Sequence, residues 1–265
     1  MPASSSSRPK DLSMNPRYLI ALLAAAGLAG AAEAAVIVSS ATLGTAIPDD
    51  TDTGFATTLL VPGTPAITSL SVSLNLSVPS GSSGWIGDLY GYVQHGDSIA
   101  VLMNRPGRSG ASLSGYDDGP SMSVTFTDGA ANGDIHTYRS VLTGDEAIPL
   151  SGPLGGAWAP DGRLTDPAAV VTGDLRGAML SAFTGQDPGG TWTLFLADLS
   201  GGGRYELESW SLSFETAAVP EPAAVGAVGM ALCGWALWRR RIGSKMLPWG
   251  ASCHRGYRRQ SAGSR

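Results

Sequence analysis

Polar and apolar residues alternate strictly over residues 69–78 of the chain. Aliphatic side chains take every second position from Leu70 to Val78, and serine or asparagine fills the positions between them. Successive side chains of a β-strand point to opposite faces, so a period of two separates the aliphatic residues from the polar ones. The segment therefore predicts a strand with one buried and one solvated face.

Shorter runs of the same alternation predict further strands at residues 98–103, 121–128, 191–198 and 205–214. The last two flank Ser200-Gly201-Gly202-Gly203, whose composition predicts a hairpin loop. The alternation changes phase within the final run, and a β-bulge near Ser209 would reconcile its two halves. Only residues 174–183 suggest a helical turn. Half-buried strands between glycine-rich turns predict an all-β fold, an antiparallel sandwich of two sheets.

An apolar segment near the beginning of the chain interrupts this pattern. It covers residues 18–30, follows Arg17 and leads into the small-residue triplet Ala32-Glu33-Ala34. A charged start, an apolar middle and a small-residue end make up a secretory signal peptide, so cleavage is predicted at the end of the triplet. The residues before Met14 are rich in serine and proline, which leaves Met1 and Met14 as alternative starts.

A second apolar segment, residues 223–238, lies near the other end. Its 16 residues are close to the lower limit of a transmembrane span. The residues that flank it are Pro220, Glu221 and Pro222 on one side and Arg239, Arg240 and Arg241 on the other. Such an arginine cluster holds the end of a span on the cytoplasmic side.

This arrangement resembles the PEP-CTERM sorting signal of exopolysaccharide-producing Gram-negative bacteria. The resemblance implies an exported precursor, tethered in the inner membrane through residues 223–238. It also implies processing by an exosortase-type membrane enzyme and delivery to the cell surface or the extracellular matrix, in contact with extracellular polysaccharide. An ordinary single-pass anchor is the alternative.

The two signals divide the chain into four predicted parts. Residues 1–34 form an N-terminal extension with the signal peptide, residues 35–216 form the exported body, and residues 219–241 form the sorting signal. Residues 242–265 make a basic, polar tail that is predicted to be disordered. This tail is either a cytoplasmic extension or a reading-frame artefact.

The exported body differs sharply in charge from the chain as a whole. Residues 35–216 contain 19 acidic residues, six arginines and no lysine, a net charge of about −13, whereas the whole chain carries −5. An acidic body argues against nucleic acid as a partner. Both cysteines, Cys233 and Cys253, lie outside it, so the body forms no internal disulfide and offers no thiolate to zinc.

The body also carries a series of short motifs in order. They are Gly-Asp-Leu at 87–89, Pro-Gly at 106–107, Gly-Thr-Trp-Thr-Leu at 190–194, Asp198 and Trp-Ser-Leu at 210–212. The series resembles the P domain (homo B domain) of proprotein convertases and related bacterial subtilisin-like proteases, over residues 69–214. The resemblance implies a jelly-roll β-sandwich. Residues 90–97 depart from the family pattern by separating Gly-Asp-Leu from the next strand.

Particular residues of these motifs have expected structural roles. Trp192 and Trp210 have the bulk to fill a sandwich core. Asp88 and Asp198 are expected at strand ends, where carboxylates accept backbone N–H groups. Gly189 and the glycine after it allow a tight turn into the strand that carries Trp192.

The body does not contain the residues of a recognisable catalytic centre, and the sequence predicts that it is not an enzyme. Its two histidines, His95 and His136, lie outside any protease motif, and no G-x-S-x-G elbow occurs. Gly96-Asp97-Ser98 is similar to the start of an esterase motif, but the nearest Asp and His that follow, at 134–136, have the wrong spacing. The serine is interpreted as a loop residue.

Calcium is the ion that the sequence could accommodate. The candidate ligands are Asp49, Asp50 and Asp52, beside Gly54, and the pair Asp117 and Asp118. Clustered carboxylates are the hard oxygen ligands that calcium prefers. The pattern lacks the twelve-residue EF-hand loop, and solvated acidic loops are the alternative interpretation.

Three functions remain open from the sequence. The first is a non-catalytic surface or matrix protein with a structural or binding module. The second is a lectin-like carbohydrate-binding module, in which Trp85, Tyr90, Tyr92 and Trp158 stack on sugars. The third is an accessory domain of a separately encoded subtilisin-like protease, which the P-domain resemblance implies.

Overall fold

The computed structural model describes residues 34–40, 42–63, 65–119 and 121–216, together with Leu232, Gly234 and Trp235. Within this part of the chain, ten strands and one α-helix belong to a single compact unit, Ala32–Val219. The strands are β1 (Ala34–Ser39), β2 (Thr45–Ala46), β3 (Phe55–Val61), β4 (Ile67–Ser77), β5 (Leu89–His95), β6 (Ser98–Asn104), β7 (Met122–Phe126), β8 (Leu154–Trp158), β9 (Gly190–Asp198) and β10 (Glu206–Thr216), and the helix is α1 (Tyr138–Thr143).

The strands form two sheets, as the all-β prediction requires. The six-stranded sheet has the order β1-β10-β4-β7-β8, and β2 also pairs with β10. The four-stranded sheet has the order β3-β9-β5-β6. Every pair of these strands is antiparallel except β7 with β8, which is parallel. The fold is thus largely, but not wholly, the antiparallel arrangement that the alternation predicts, and the jelly-roll connection stays a prediction.

The alternating segments form the centre of the six-stranded sheet. β4 buries Leu70, Val72, Leu74 and Leu76 on one face, which confirms the strand predicted at residues 69–78. Its neighbour β10 shifts register against it between Leu207 and Ser209. That shift is the predicted bulge, and it lets both halves of β10 bury their apolar residues.

The hairpin predicted around Ser200-Gly201-Gly202-Gly203 is wrong. β9 belongs to the four-stranded sheet and β10 to the six-stranded sheet, so the loop passes from one sheet to the other. The buried faces of the two strands consequently meet across the core, where the rings of Trp192 and Phe214 lie 5.2 Å apart. A glycine-rich loop permits either path, and burial of both apolar faces decides between them.

Three tryptophans anchor the core between the sheets. Trp158, Trp192 and Trp210 are almost fully buried, which confirms the core role expected of the last two. Trp192 also packs against Phe183, with ring centroids 4.8 Å apart. Phe183 ends a single turn of 3-10 helix, Leu180–Phe183, the only helical structure in the segment where a turn was suggested. Burying a large apolar side chain contributes about 1.5–3 kcal/mol to stability.

Residues 90–97, which depart from the P-domain pattern, build a central strand. Leu89–His95 form β5, which pairs with β9 on one side and with β6 on the other. Gly96 and Asp97 make the two-residue turn into β6, and Gly96 has a φ of 54° that favours glycine. The separation between Gly-Asp-Leu and the next predicted strand is therefore an additional hairpin arm.

The two ends of the described domain lie side by side. β1 pairs antiparallel with β10, and Ala34 lies directly opposite Thr216. β1 also forms an edge of the six-stranded sheet, where Ile37 is exposed. The chain thus enters and leaves the domain at the same end of the β1–β10 pair.

The predicted targeting segments lie almost wholly outside the described residues. Of the sorting signal only Leu232, Gly234 and Trp235 are described. The basic tail lies outside the described residues, as does the signal peptide except for its last residue, Ala34, which begins β1. None of the helices in the described part of the chain has the length and apolarity needed to cross a membrane. The four-part division of the chain therefore stays a prediction.

Candidate functional site: an aromatic cleft

Three aromatic rings share the outer face of the four-stranded sheet. β5 buries Leu89 and Val93 towards the core, which places Tyr90 and Tyr92 on the opposite face. The β5–β9 register sets Tyr92 directly opposite Phe195. The Tyr92 and Phe195 rings stack with centroids 4.9 Å apart, and Tyr90 approaches them at 5.9 and 6.3 Å. All three side chains are half-buried, so ring surface stays accessible.

These rings line a cleft of about 470 Å³, which we call the aromatic cleft. Its other lining residues are Asp52, Arg105, Asp166, Pro167, Ala168 and Leu199. A cleft of this size with aromatic walls and a few polar groups is typical of a small-ligand site. The arrangement suits a flat, partly apolar ligand that also offers hydrogen bonds.

One wall of the aromatic cleft is a loop held onto the edge strand β6. The backbone of Gly162 donates to the oxygen of Val101 at 2.9 Å, and Val101 donates in turn to Ala178 at 2.9 Å. The buried Asn104 amide donates to the backbone oxygens of Arg163, at 3.1 Å, and Thr165, at 2.9 Å. These bonds fix the loop that presents Asp166 and its neighbours to the rings.

A buried ion network supports the same loop. The fully buried Asp161 carboxylate accepts from His136 Nδ1 at 2.7 Å and from Arg163 Nη1 at 3.0 Å. Arg163 Nη2 also donates to Asp134 Oδ2 at 2.8 Å. His136 Nε2 lies 2.9 Å from the backbone oxygen of Arg108, so both ring nitrogens face acceptor oxygens. Both contacts are internal to the fold, so His136 helps to hold this loop in place.

Arg105 is the positively charged residue among those that line the aromatic cleft. Its Nε donates to Gly87 O at 3.1 Å, and its Nη2 donates to Asp88 Oδ1 and to Ser200 Oγ, each at 3.0 Å. Its backbone φ of 48° lies in the left-handed region, which few residues with a Cβ adopt. Arg105 is buried and its charge is paired with Asp88.

The buried carboxylate of Asp198 interacts electrostatically with Arg105. Asp198 ends β9 with 1% exposure, and neither of its oxygens has a partner at hydrogen-bond geometry among the described residues. Burial raises the pKa of Asp198 to about 7, and the carboxylates of Asp88 and Asp49 add to the rise, while the nearby Ser200 backbone opposes it. The Ser200 backbone thus lies close to Asp198, as expected at the end of a strand, but outside hydrogen-bond geometry.

Asp88 lies beside Asp198 and directly precedes β5, so it is at the end of a strand as expected. Burial raises its pKa, against the opposing effect of Arg105. Its carboxylate accepts from a side chain, Arg105, rather than from the backbone groups that were expected.

The predicted calcium ligands fall in two separate places. Asp49, Asp50 and Asp52 lie in the exposed loop between β2 and β3, where the Thr51 N–H donates to the backbone oxygen of Asp198 at 3.0 Å. Asp50 has a φ of 56°, and Asp52 lines the aromatic cleft. The structure does not bring this loop together with the second predicted pair.

That second pair, Asp117 and Asp118, is bound to Arg139. Arg139 Nη2 lies 2.5 Å from Asp117 Oδ1, and Nε donates to Asp118 Oδ2 at 2.6 Å. The buried Asp118 carboxylate also accepts from Tyr138 and from the Leu150 backbone, each at 2.6 Å. Among the described residues no three His, Cys, Asp or Glu side chains converge as metal ligands, and the calcium assignment stays a prediction.

A second cleft of about 440 Å³ surrounds Arg139, and we call it the ion-pair cleft. Trp85, 37% exposed, lines it together with Tyr116, Asp117 and Glu146. The Arg139 guanidinium carbon lies 4.6 Å from the centre of the Tyr116 ring. A cation over an aromatic face is stabilising. The charged groups of this cleft are therefore already bound to other residues of the same cleft.

The four aromatic residues predicted to stack on sugars lie in three different places: the aromatic cleft, the ion-pair cleft and the core. Tyr90 and Tyr92 line the aromatic cleft, and Trp85 lines the ion-pair cleft. Trp158 is fully buried at the end of β8, so its assignment to a sugar-stacking surface is wrong. β8 pairs with β7 and turns this side chain into the core.

Sequence reasoning missed Phe195, Arg105 and Asp166 as residues of the aromatic cleft. Phe195 stands out of phase with the buried Leu194 and Leu196, and an outward-facing aromatic in a strand is a usable signal. Arg105 and Asp166 carry no such local signal because the tertiary fold brings them to the rings.

His95 is likewise structural. Its ring stacks on Trp192 with centroids 4.4 Å apart and an angle of 3°. Its two nitrogens lie 3.1 Å from the backbone oxygens of Thr191 and Asp187. Ser98, in the Gly-Asp-Ser sequence, begins β6 and pairs with His95 across the turn. Ser98 therefore belongs to the strand predicted at residues 98–103, and its interpretation as a loop residue is wrong.

The fold and the cleft define a β-sandwich protein with an aromatic surface site. No protein-family model matches the chain, and no curated protein matches it. Among solved structures, it is similar to the serine protease of Aeromonas sobria, with 12% identity and a TM-score of 0.35, over 69% of this chain and 26% of that one. It is also similar to the complex of this protease with the chaperone ORF2, with 15% identity and a TM-score of 0.37, over 74% of this chain and 30% of that one.

The chain thus spans less than a third of the length of either matched chain. Structural similarity at TM-scores of 0.35 and 0.37 does not indicate a shared activity.

Proposed function

We propose that the chain is a non-catalytic, exported surface or extracellular-matrix protein whose β-sandwich binds glycan in the aromatic cleft. The observation that carries the proposal is the cluster of Tyr90, Tyr92 and Phe195, which is held rigidly on a sheet with part of each ring accessible. Sugar rings present apolar faces and hydroxyl edges, and the cleft offers aromatic faces beside carboxylates.

The rigid placement of the rings supports a binding role. Ring atoms on adjacent, hydrogen-bonded strands lose little conformational freedom when a ligand binds. The wall formed by the loop around Asp166 is fixed to β6 by backbone bonds, so the cleft exists before a ligand arrives. A preformed site of this kind binds by complementarity and needs no closing movement.

A glycan array probed with the full-length chain in mild detergent tests this function. We expect binding to a defined subset of glycans, and loss of about thirty-fold in affinity in Tyr92→Ala, because a central aromatic contact contributes about 2 kcal/mol. Trp85→Ala, in the ion-pair cleft, is the matched control and keeps its affinity. An array without signal, or equal losses in the two variants, contradicts the assignment.

Export and sorting form the second part of the proposal. The Pro220-Glu221-Pro222 motif, the apolar segment 223–238 and the arginine triplet support processing by an exosortase-type enzyme at the inner membrane. Mass spectrometry of the cell-associated protein tests it, with a new C-terminus expected near Pro222. A protein that still ends at Arg265 contradicts processing and leaves an ordinary anchored protein.

A P-domain-like accessory role is the second candidate function. It is supported by where the motif residues lie: Gly87 and Asp88 lead into β5, Trp192 fills the core from β9, and Trp210 fills it from β10. The test is the inactivation half-life of a subtilisin-like protease secreted by the same cells, measured with and without the chain. An unchanged half-life removes this candidate.

A further inference from the structure

We infer that the glycan bound in the aromatic cleft carries free amino groups, as in a hexosamine polymer whose amines are unsubstituted. The inference rests on the proposed function and names the ligand class. It follows from the charge of the cleft, from the ring faces and from the charge of the whole domain.

The lining of the aromatic cleft is negative. Asp52 and Asp166 are exposed, and neither forms an ion pair within the described residues. The lining cation, Arg105, is paired with Asp88 at 3.0 Å. Arg108 lies nearby, binds the backbone oxygen of Ala168 and interacts electrostatically with Asp166 without forming an ion pair. A ligand therefore meets two carboxylates that no ion pair neutralises.

The aromatic rings favour the same sign of ligand charge. The face of a Tyr or Phe ring attracts a cation that lies within about 6 Å of the ring centre. Burial is the main cause that raises the pKa of Tyr90, and the carboxylates of Asp161 and Asp166 lie close enough to add to the rise. An ammonium group on a stacked sugar ring is thus stabilised by the ring faces and by the carboxylates together.

The domain as a whole adds long-range attraction. Residues 35–216 carry a net charge of about −13 and contain no lysine. A field of one sign raises the local concentration of counter-charged polymers and repels polymers of the same sign. Polymers of uronic acids are therefore disfavoured, and neutral glycans gain only hydrogen bonds, and no charge attraction, from the two carboxylates.

Calorimetric titration of the full-length chain, at mildly acidic pH and low salt, tests the inference. The probes are a glucosamine oligomer, the N-acetylglucosamine oligomer of equal length and a galacturonate oligomer. N-acetylation keeps the sugar ring and removes the positive charge. We expect the glucosamine oligomer to bind about tenfold tighter than the acetylated one, and added salt to reduce the difference.

Two charge-neutralising variants locate the effect. Asp52→Asn and Asp166→Asn should each reduce the preference for the free amine about threefold, because an exposed ion pair contributes up to about 1 kcal/mol. Asn at 166 retains the oxygen that accepts from the Ala168 N–H at 2.8 Å. Asp97→Asn is the matched control, since Asp97 is exposed in the β5–β6 turn, away from the cleft lining, and the charge change is the same.

The outcomes separate the two proposals. Equal affinity for the acetylated and the free oligomer overturns the amine inference but is compatible with glycan binding. Tighter binding of the galacturonate oligomer than of the glucosamine oligomer has the same meaning. Equal effects of Asp97→Asn and Asp52→Asn also overturn it, because the preference would then be independent of the cleft. Binding of none of the three probes, with an array that is also without signal, removes the proposed function itself.

Discussion

The aromatic cleft and the ion-pair cleft contain the same kinds of residues, yet they use them in opposite ways. In the ion-pair cleft, Arg139 binds Asp117 and Asp118 and lies over Tyr116, so its charges and ring faces are already engaged. In the aromatic cleft, Asp52 and Asp166 form no ion pair among the described residues, although Arg108 interacts with Asp166 electrostatically. The rings of this cleft pack against one another. Charges that are paired stabilise a fold, whereas carboxylates without an ion pair and rings that are partly accessible remain to bind a ligand.

Removing Arg139 should have the largest effect. Arg139→Met leaves the buried Asp118 without its cation, and a broken buried ion pair costs about 3–5 kcal/mol of unfolding free energy. Urea unfolding followed by tryptophan fluorescence measures it. Arg204→Met, at an exposed arginine, is the control and should change stability by less than about 0.5 kcal/mol. A value for Arg139→Met as small as that of the control would show that the ion-pair cleft is not structural.

Asp198 makes stability depend on pH in a direction that can be worked out. Its folded pKa of about 7 lies above the unfolded value of about 3.9, so the folded state holds a proton between these values that the unfolded state has released. Stability therefore falls as pH rises from about 4 to about 7, by about 4 kcal/mol in all.

Asp198→Asn should remove this decline and leave the protein more stable than the wild type at alkaline pH. Unfolding in urea across this pH range measures both slopes. Asp97→Asn, in the exposed turn, controls for the change in net charge. Parallel pH profiles for wild type and Asp198→Asn would contradict the account.

Phe195 tests the aromatic cleft with a smaller change. Phe195→Leu keeps an apolar side chain and removes the stacked ring, which is worth about 1 kcal/mol, so glycan affinity should fall about fivefold. Trp85→Leu in the ion-pair cleft should leave affinity unchanged. Titration with the best glycan from the array gives both values, and the reverse order of effects would assign binding to the ion-pair cleft.

Calcium should have the smallest effect. The carboxylates of Asp117 and Asp118 are already bound to Arg139, so we expect melting temperatures in calcium and in EDTA to agree within about 1 °C. A larger rise with calcium that disappears in Asp49→Asn would instead establish the predicted metal site in the β2–β3 loop.

The sequence predicts the strands whose two faces differ and misses those whose faces do not. β4 and β7 alternate between aliphatic and polar residues, and both lie where the alternation places them. β5 was missed because its outward positions carry Tyr90 and Tyr92, so both of its faces look apolar. The rings that conceal the strand are the rings that line the cleft.

Sites assembled from distant segments are equally hidden. Asp52, Arg105 and Asp166 come from three separate loops, and only the pairing of β5, β6 and β9 brings them to one place. The alternation of polar and apolar residues within a strand does not predict which distant strand it pairs with. The same reason explains the wrong hairpin, since the path of the Gly-rich loop after β9 is decided by core packing.

The pairing of Ala34 with Thr216 has a mechanical consequence. A pull applied between these two ends would open the β1–β10 hydrogen bonds one after another, as a zipper opens. A pull on Thr216 alone, against a ligand held in the aromatic cleft, would instead load β10 along its length, where β1 and β4 both hold it. Single-molecule pulling in the two geometries should give a lower rupture force for the first, and a domain tethered only through its C-terminal end would meet force in the stronger direction.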